Sequence, residues 1–229
     1  MFSFSNKNQK IALIGCGYWG TIIAKTLINL KFKKIIINDV NKKNSLSLKK
    51  KYNQLIIEND FLEIINNKSI KNTFIVIPPS KSFELIKKCL SVGKNVFVEK
   101  PGVVDLKQLN VISKLAQKNK CKLMFGYIYC YNDHIEKIKK IIKRNILGKI
   151  TYVSFQRQNL GPIRNDVDVD YDLTSHDLSI ILKLFGKLPK ILSFKKYQIL
   201  KKGISDISNL HLKLVNFFID VSNSWLSPA

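Results

Sequence analysis

The feature that most constrains this chain is Lys10 to Gly20, KIALIGCGYWG. Ile11 to Ile14 is a short apolar run that stops at Gly15, and from Tyr18 the apolar positions recur with a helical period. Strand, glycine turn and helix in that order place the G-x-G-x-x-G dinucleotide fingerprint in the context it needs. Gly15 permits a sharp turn, Gly17 leaves room for a pyrophosphate, and Gly20 lets the helix pack closely on the strand. The N–H groups opening the helix then face the diphosphate, with the positive end of the helix dipole behind them. Tyr18 and Trp19, inside the same loop, join the candidate cofactor contacts. Asp39 ends a second apolar run, Lys34 to Asn38, at about the twenty-residue spacing of the motif's acidic residue. A carboxylate there suits the ribose 2′-hydroxyl of NAD and repels the 2′-phosphate of NADP. Lys42 and Lys43 follow closely, which keeps NADP as the less favoured cofactor. Taken alone, the motif also fits a glycine turn in another kind of α/β protein.

The pattern after the fingerprint alternates. Spacing predicts a helix over Tyr18 to Leu30, a strand over Ile35 to Ile37, a lysine-rich helix over Asn41 to Tyr52 and a short strand over Leu55 to Glu58. Asp60 caps a helix through Ile65, and Thr73 to Ile77 reads as a strand broken by Pro78-Pro79. Ser80 is the expected N-cap of a helix to about Val92. A strand at Val96 to Val98, a helix from Asp105 to about Asn119 and a strand at Leu123 to Phe125 complete this half. Such alternation predicts a doubly wound parallel sheet with helices on both faces, an α/β Rossmann domain over residues 1–126. After Gly126 the order changes. A basic amphipathic helix, Ile135 to Leu147, precedes a longer alternating strand, Ile150 to Gln158. A polar loop to Asp172 leads into a helix from about Thr174 to Phe185, and strands follow at Ile191 to Tyr197, Ile207 to Val215 and Phe217 to Trp225. A partial α+β domain with an open, mainly antiparallel sheet is expected over 127–229.

Charge bears on the choice of partner. Lys plus Arg number 39 against 16 acidic residues, a net +23, which raises the question of nucleic acid. Only Arg144, Arg157 and Arg164 are arginines, however, and the lysines are spread along every segment. Lys, Asn and Ile are abundant together and share A/T-only codons, so a biased genome explains the excess without a partner. Specific nucleic-acid binding is therefore not expected, although salt-sensitive adhesion to polyanions is. No apolar run approaches the ~20 residues of a membrane span, and MFSFSNKNQK lacks a leader's apolar centre, so a cytoplasmic protein with no membrane partner is expected. Cys16, Cys89, Cys121 and Cys130 form no CxxC pair and have no matching histidine cluster, so reduced thiols are expected and no metal site. Asp166, Asp168, Asp170, Asp172 and Asp177 mimic a calcium loop, but Tyr171 stands where that loop needs glycine and its last residue is Asp rather than Glu.

Four motifs occur in order: GCGYWG; IPPS with Pro78, Pro79 and Ser80; GKNVFVEKP with Glu99, Lys100 and Pro101; and DLTSHDLSI with Asp172, His176 and Asp177. With Gly126-Tyr127 at the junction of the halves, the chain resembles the glucose–fructose oxidoreductase/inositol dehydrogenase (Gfo/Idh/MocA) family. Lys100 follows a strand at its C-terminal end, where open α/β sheets bind ligands, and its ammonium can hydrogen-bond a substrate hydroxyl and stabilise charge on the oxygen. The resemblance implies that Pro78, Pro79, Ser80 and Glu99 line the cofactor, Glu99 at the nicotinamide ribose, and that Tyr127 lies on the substrate side. It also implies a cis peptide bond at Lys100-Pro101. His176 is the candidate general base, and Asp172, four residues earlier, can fix its tautomer; by spacing alone a structural histidine fits equally.

The implied function is an NAD-dependent oxidation of a secondary alcohol in a sugar or nucleotide sugar. The GYWG form and the acid-rich run resemble members acting on nucleotide sugars. A free-sugar or inositol dehydrogenase is the alternative, as is a truncated cofactor-binding protein without turnover. Family members generally run further than Ala229, and their second domain is a broad sheet that makes the homo-oligomer contact. The chain is therefore expected to be incomplete, with a weakened dimer, an unpaired sheet edge and uncovered apolar side chains from Ile207 to Trp225.

Overall fold

The computed structural model describes residues 7–161 and 163–227, so most of the N-terminal stretch assessed for a leader, and Pro228-Ala229, lie outside the described residues. Ile11, Ala12, Leu13 and Ile14 are all buried in β1 (Lys10–Ile14), as a parallel strand covered on both faces must be. Successive side chains point to opposite layers. Ile11 and Leu13 pack with Ile35 and Ile37 of β2 (Lys34–Asn38), Ala24 and Leu27 of α1 (Tyr18–Asn29) and Leu48 of α2 (Lys42–Lys51). Ile14 joins the other layer, with Ile75 of β4 (Ile70–Ile75), Ile86 and Leu90 of α4 (Pro79–Ser91) and Ile112 of α5 (Leu106–Lys118). β3 (Ile56–Ile57), α3 (Phe61–Asn66), β5 (Asn95–Val98) and β6 (Leu123–Phe125) complete this unit.

All six strands pair in parallel, in the order β3-β2-β1-β4-β5-β6. The winding reverses between β1 and β4, and such a switch point opens a crevice beyond the carboxyl ends of the strands. Asn41, Asp60 and Asp105 cap α2, α3 and α5 through their side-chain oxygens. Ser80 does not cap α4. The N-cap lies two residues earlier, at Pro78, and the helix starts at Pro79. Proline suits that first turn because its missing N–H would have no helical partner there.

Contacts divide the chain into Met1–Gly126 and Tyr127–Ala229. The second unit holds a 3₁₀ turn (Ile128–Tyr131), α6 (Asp133–Lys143), β7 (Tyr152–Gln158), a π-helical turn (Asp170–Thr174), α7 (Ser175–Phe185), β8 (Lys190–Tyr197), β9 (Ile207–Leu214) and β10 (Phe217–Ser224). α6 stops well before Leu147 because Asn145 is left-handed, at φ +54°. The sheet order is β7-β10-β9-β8; β7 runs parallel to β10 and the other pairs are antiparallel.

The expected exposure of Ile207 to Trp225 is met only at Val215 and Phe218. β9 and β10 are the two central strands, and Leu210, Leu212, Leu214, Ile219 and Val221 are buried with Ile181 of α7. Trp225 is buried too. Ile191, Leu192 and Phe194 of the edge strand β8 are also exposed. Among the described residues no helix is long and apolar enough to cross a membrane.

Candidate functional site

The three fingerprint glycines meet different surroundings. Gly15 has φ +98°, and a Cβ there would lie 2.1 Å from the Val76 carbonyl oxygen. A Cβ on Gly20 would lie 2.0 Å from the Gly15 oxygen, so the first turn of α1 rests directly on the loop. A Cβ on Gly17 would meet nothing within 4 Å. Two glycines therefore serve packing, and the third keeps a space open.

Beside this turn stands Asp39. Its Oδ2 accepts from the Cys16 backbone N–H at 2.7 Å and from Asn44 Nδ2 at 3.2 Å; its Oδ1 accepts from the Asn41 N–H at 2.8 Å. The carboxylate at the end of β2 is thus fixed against the middle of the fingerprint. Burial, and then the charge of Asp39, push the Cys16 thiol up to about 11. Tyr18 is 80% exposed and Trp19 43%, with their rings edge to face at 6.0 Å.

Pro78, Pro79 and Ser80 form the entry to α4, directly after β4; Pro79 is buried and Ser80 exposed. Glu99 and Lys100 follow β5 at the same carboxyl end of the sheet, and Lys100-Pro101 is cis, as expected. Glu99 Oε2 accepts from the Lys100 N–H at 3.3 Å, while Oε1 is buried with no hydrogen-bond partner among the described residues. A Cβ on Gly126 would come within 2.8 Å of that Oε1, so glycine there leaves the carboxylate its room. Burial raises the Glu99 pKa, against the pull of the Lys100 N–H and ammonium. A buried acceptor with one oxygen unserved fits a ligand hydroxyl, and with the open space at Gly17 and the fixed Asp39 it meets what a dinucleotide requires.

In the second unit, His176 stands in the first turn of α7, 8% exposed, with the Tyr129 ring edge to face at 4.9 Å. Asp172 lies in the preceding π-helical turn. Its Oδ2 accepts from the Trp225 indole N–H at 3.3 Å, and its Oδ1 lies 3.5 Å from the Arg164 guanidinium. Tyr127, at the start of this unit, has its phenol pKa raised by burial.

Several neighbours were not legible as site residues. Arg157 of β7 reaches Asp177 at 2.6 Å and lies 4.4 Å over the Tyr129 ring. Burial pushes the Asp177 carboxyl above the ordinary range against the pull of Arg157, while the pair holds the guanidinium charged more firmly. Asn223 lies beside both Thr174, at 2.7 Å, and Asp177. Asn223 Nδ2 donates to the Thr174 hydroxyl, while Asp177 Oδ2 and Asn223 Oδ1 are buried without a hydrogen-bond partner among the described residues. One signal did exist in the sequence. In a chain so rich in lysine, the two arginines at 157 and 164 mark places where a planar fork meets a carboxylate.

The acid-rich run is tied down by cations of the chain itself: Arg164 takes Asp166 and Asp172, and Lys196 takes Asp168 and Asp170. Among the described residues no group of His, Cys, Asp or Glu could hold a metal.

A family model described as an oxidoreductase family with an NAD-binding Rossmann fold matches residues 9–127, just over half of the chain. The chain belongs to the Gfo/Idh/MocA oxidoreductase family. It is 23% identical over 203 residues to an inositol 2-dehydrogenase of Rhizobium meliloti (strain 1021), covering 86% of this chain and 61% of the relative. It is 28% identical over 118 residues to a UDP-N-acetylglucosamine 3-dehydrogenase of Acidithiobacillus ferrooxidans, covering 50% of this chain and 36% of the relative. Among solved structures, GenD2 from gentamicin A biosynthesis, in complex with NAD, superposes with a TM-score of 0.89 at 15% identity, over 99% of this chain and 68% of that one. The chain spans about half to three-fifths of the length of the first curated relatives it matches.

Proposed function

We propose that this chain carries the cofactor-binding and proton-handling residues of an NAD-dependent dehydrogenase that oxidises a secondary alcohol of a sugar or cyclitol. The observation that carries the reading is the Asp39 carboxylate, held by the Cys16 N–H beside a fingerprint turn left open at Gly17. A fixed, half-buried carboxylate accepts from the two ribose hydroxyls of NAD and repels a 2′-phosphate. Bound NAD supplies the nicotinamide carbon that accepts a hydride.

The remaining work falls to the chain. The N–H groups opening α1 receive the diphosphate, where no acidic side chain stands in the first turn to oppose it. Glu99 Oε1 accepts from a ribose hydroxyl and orients the nicotinamide end. Lys100 donates to the substrate oxygen and stabilises the negative charge that develops there as the C–H bond breaks. His176 removes the hydroxyl proton, and Asp172, held by Trp225 and Arg164, keeps a carboxylate ready to steady the imidazolium.

Relatives bearing the names of inositol dehydrogenases align over more of this chain than the UDP-sugar dehydrogenase does. Cyclitols and free sugars therefore come ahead of nucleotide sugars. The experiment is nicotinamide absorbance over a panel of inositols, free sugars and UDP-sugars, with either cofactor. Lys100→Ala and His176→Ala should each lower turnover by ~10²-fold or more while NAD affinity stays near wild type. Full turnover by His176→Ala would place the general base elsewhere, and no binding of NAD would end the proposal.

A further inference from the structure

Around His176 the structure assembles a closed ring of contacts that proton transfer by itself does not call for. Tyr129, in the 3₁₀ turn Ile128–Tyr131, sets its ring 4.9 Å from the imidazole, with the two planes at 80°. The Arg157 guanidinium lies over the same phenol ring, 4.4 Å from its centroid. Arg157 in turn is anchored by its Nε to Asp177 Oδ1 at 2.6 Å. Asp177 follows His176 in α7, so the ring closes on the helix from which it started. A second tie holds the turn to the helix: the Cys130 thiol donates to the Ser179 carbonyl at 3.6 Å.

We propose that Tyr129, clamped by the Arg157–Asp177 pair, is a positioning residue that fixes the plane of the His176 imidazole. The proposal deepens the reading of His176 as the proton acceptor and takes its catalytic meaning from it. A histidine's second side-chain torsion is intrinsically broad, so helix geometry places the imidazole without setting its rotation. An edge-to-face aromatic neighbour restricts that rotation, provided the neighbour is itself held. The clamp needs arginine. A guanidinium presents its flat face to the ring and its Nε edge to a carboxylate at once, whereas an ammonium is a point charge on a flexible stem. Asp177, 1% exposed, has no comparable cation within reach among the salt bridges of the described residues. Replacing Arg157 would thus leave Asp177 buried and uncompensated.

The test reads the imidazole directly. The 229-residue chain has three histidines, so His134→Gln and His211→Gln assign the His176 ring C–H signals in an NMR spectrum. In the wild type those signals should be displaced from the position of exposed His134 by the ring current of Tyr129. Tyr129→Phe keeps the ring and should keep the displacement; Tyr129→Leu should abolish it. Arg157→Lys leaves the tyrosine in place but unclamped, and should move the His176 signals toward those of Tyr129→Leu. Thermal midpoints are recorded in parallel; loss of the ring current in Tyr129→Leu reports proximity, and Arg157→Lys, which keeps the tyrosine, reports whether its plane is held. A His176 signal unmoved in Tyr129→Leu, or moved in Tyr129→Phe, overturns the proposal, and an unmoved signal in folded Arg157→Lys overturns the clamp. Should Arg157→Lys fold poorly, Asp177→Asn, which releases the guanidinium from its carboxylate, is read in its place. Retained turnover in His176→Ala would defeat the general-base reading and leave this spectrum untouched, so the two failures are distinguishable.

Discussion

Adding one methyl group to each fingerprint glycine should produce three different failures. Gly17→Ala projects its new carbon into space with no heavy atom within 4 Å, on a backbone at φ −71° and ψ −158°. Any L residue tolerates that conformation, so stability should stay within ~1 kcal/mol of wild type and can rise through a stiffer unfolded chain. At Gly20 the same carbon would sit 2.0 Å from the Gly15 oxygen, far inside the 3.4 Å of ordinary contact, and the obstacle is backbone. α1 must then shift off the turn, at a cost of about 1–3 kcal/mol or more. Gly15→Ala adds a left-handed backbone penalty of about 1–2 kcal/mol to its 2.1 Å approach to Val76. Urea unfolding followed by circular dichroism measures the first quantity, and NAD titration by intrinsic fluorescence the second. Gly17→Ala should unfold like wild type yet lose about tenfold or more in NAD affinity, ~1.4 kcal/mol, because its methyl takes the room of the diphosphate. The other two should lose stability first. A Gly17→Ala protein that binds NAD like wild type, or that unfolds as early as Gly20→Ala, would refute the division of roles.

Four further outcomes are expected. NAD should bind at least about tenfold tighter than NADP, since an unpaired like charge at Asp39 costs more than ~1.4 kcal/mol; Asp39→Ser should erase the preference, and equal affinities in the wild type would remove Asp39 from the ribose. Burial raises the Glu99 pKa above its unfolded value, so its ionised form destabilises the fold above the ordinary carboxylate range and not below it. Glu99→Gln should therefore raise the unfolding midpoint at pH 7, with the gain fading as pH falls through that range, while NAD binding weakens. Trp225→Phe keeps an aromatic ring in a site 1% exposed but removes the donor to Asp172, so turnover should fall with at most about 1–3 kcal/mol of stability lost. Cys16 and Cys89, both pushed up to about 11 chiefly by burial, should resist alkylation in mildly alkaline buffer while the fold is intact, which peptide mass spectrometry can verify.

The Rossmann half was legible because its signals are local. A four-residue apolar run ending in glycine, a carboxylate at the end of the next strand and proline at a strand exit are read from neighbours in sequence, and the fold uses each where it stands. Ser80 was misjudged as the N-cap by two residues because Pro79, which needs no N–H, takes the first helical position and leaves the cap to Pro78. Sheet order cannot be read this way. Nothing in Ile207 to Trp225 announces that these strands lie in the middle of their sheet, since an alternating strand looks the same at the centre and at the edge. The partners of the site residues were hidden for the same reason. Asp172 meets Trp225 across 53 positions of sequence, and Asp177 meets Arg157 across 20. By itself, then, the sequence determined the cofactor turn, the alternation of strand and helix, and the candidates Lys100, Asp172 and His176. Only the tertiary structure decided which glycine is spare, which carboxylates are already engaged by cations, and which ring stands beside the histidine, because those depend on contacts made after the chain has folded.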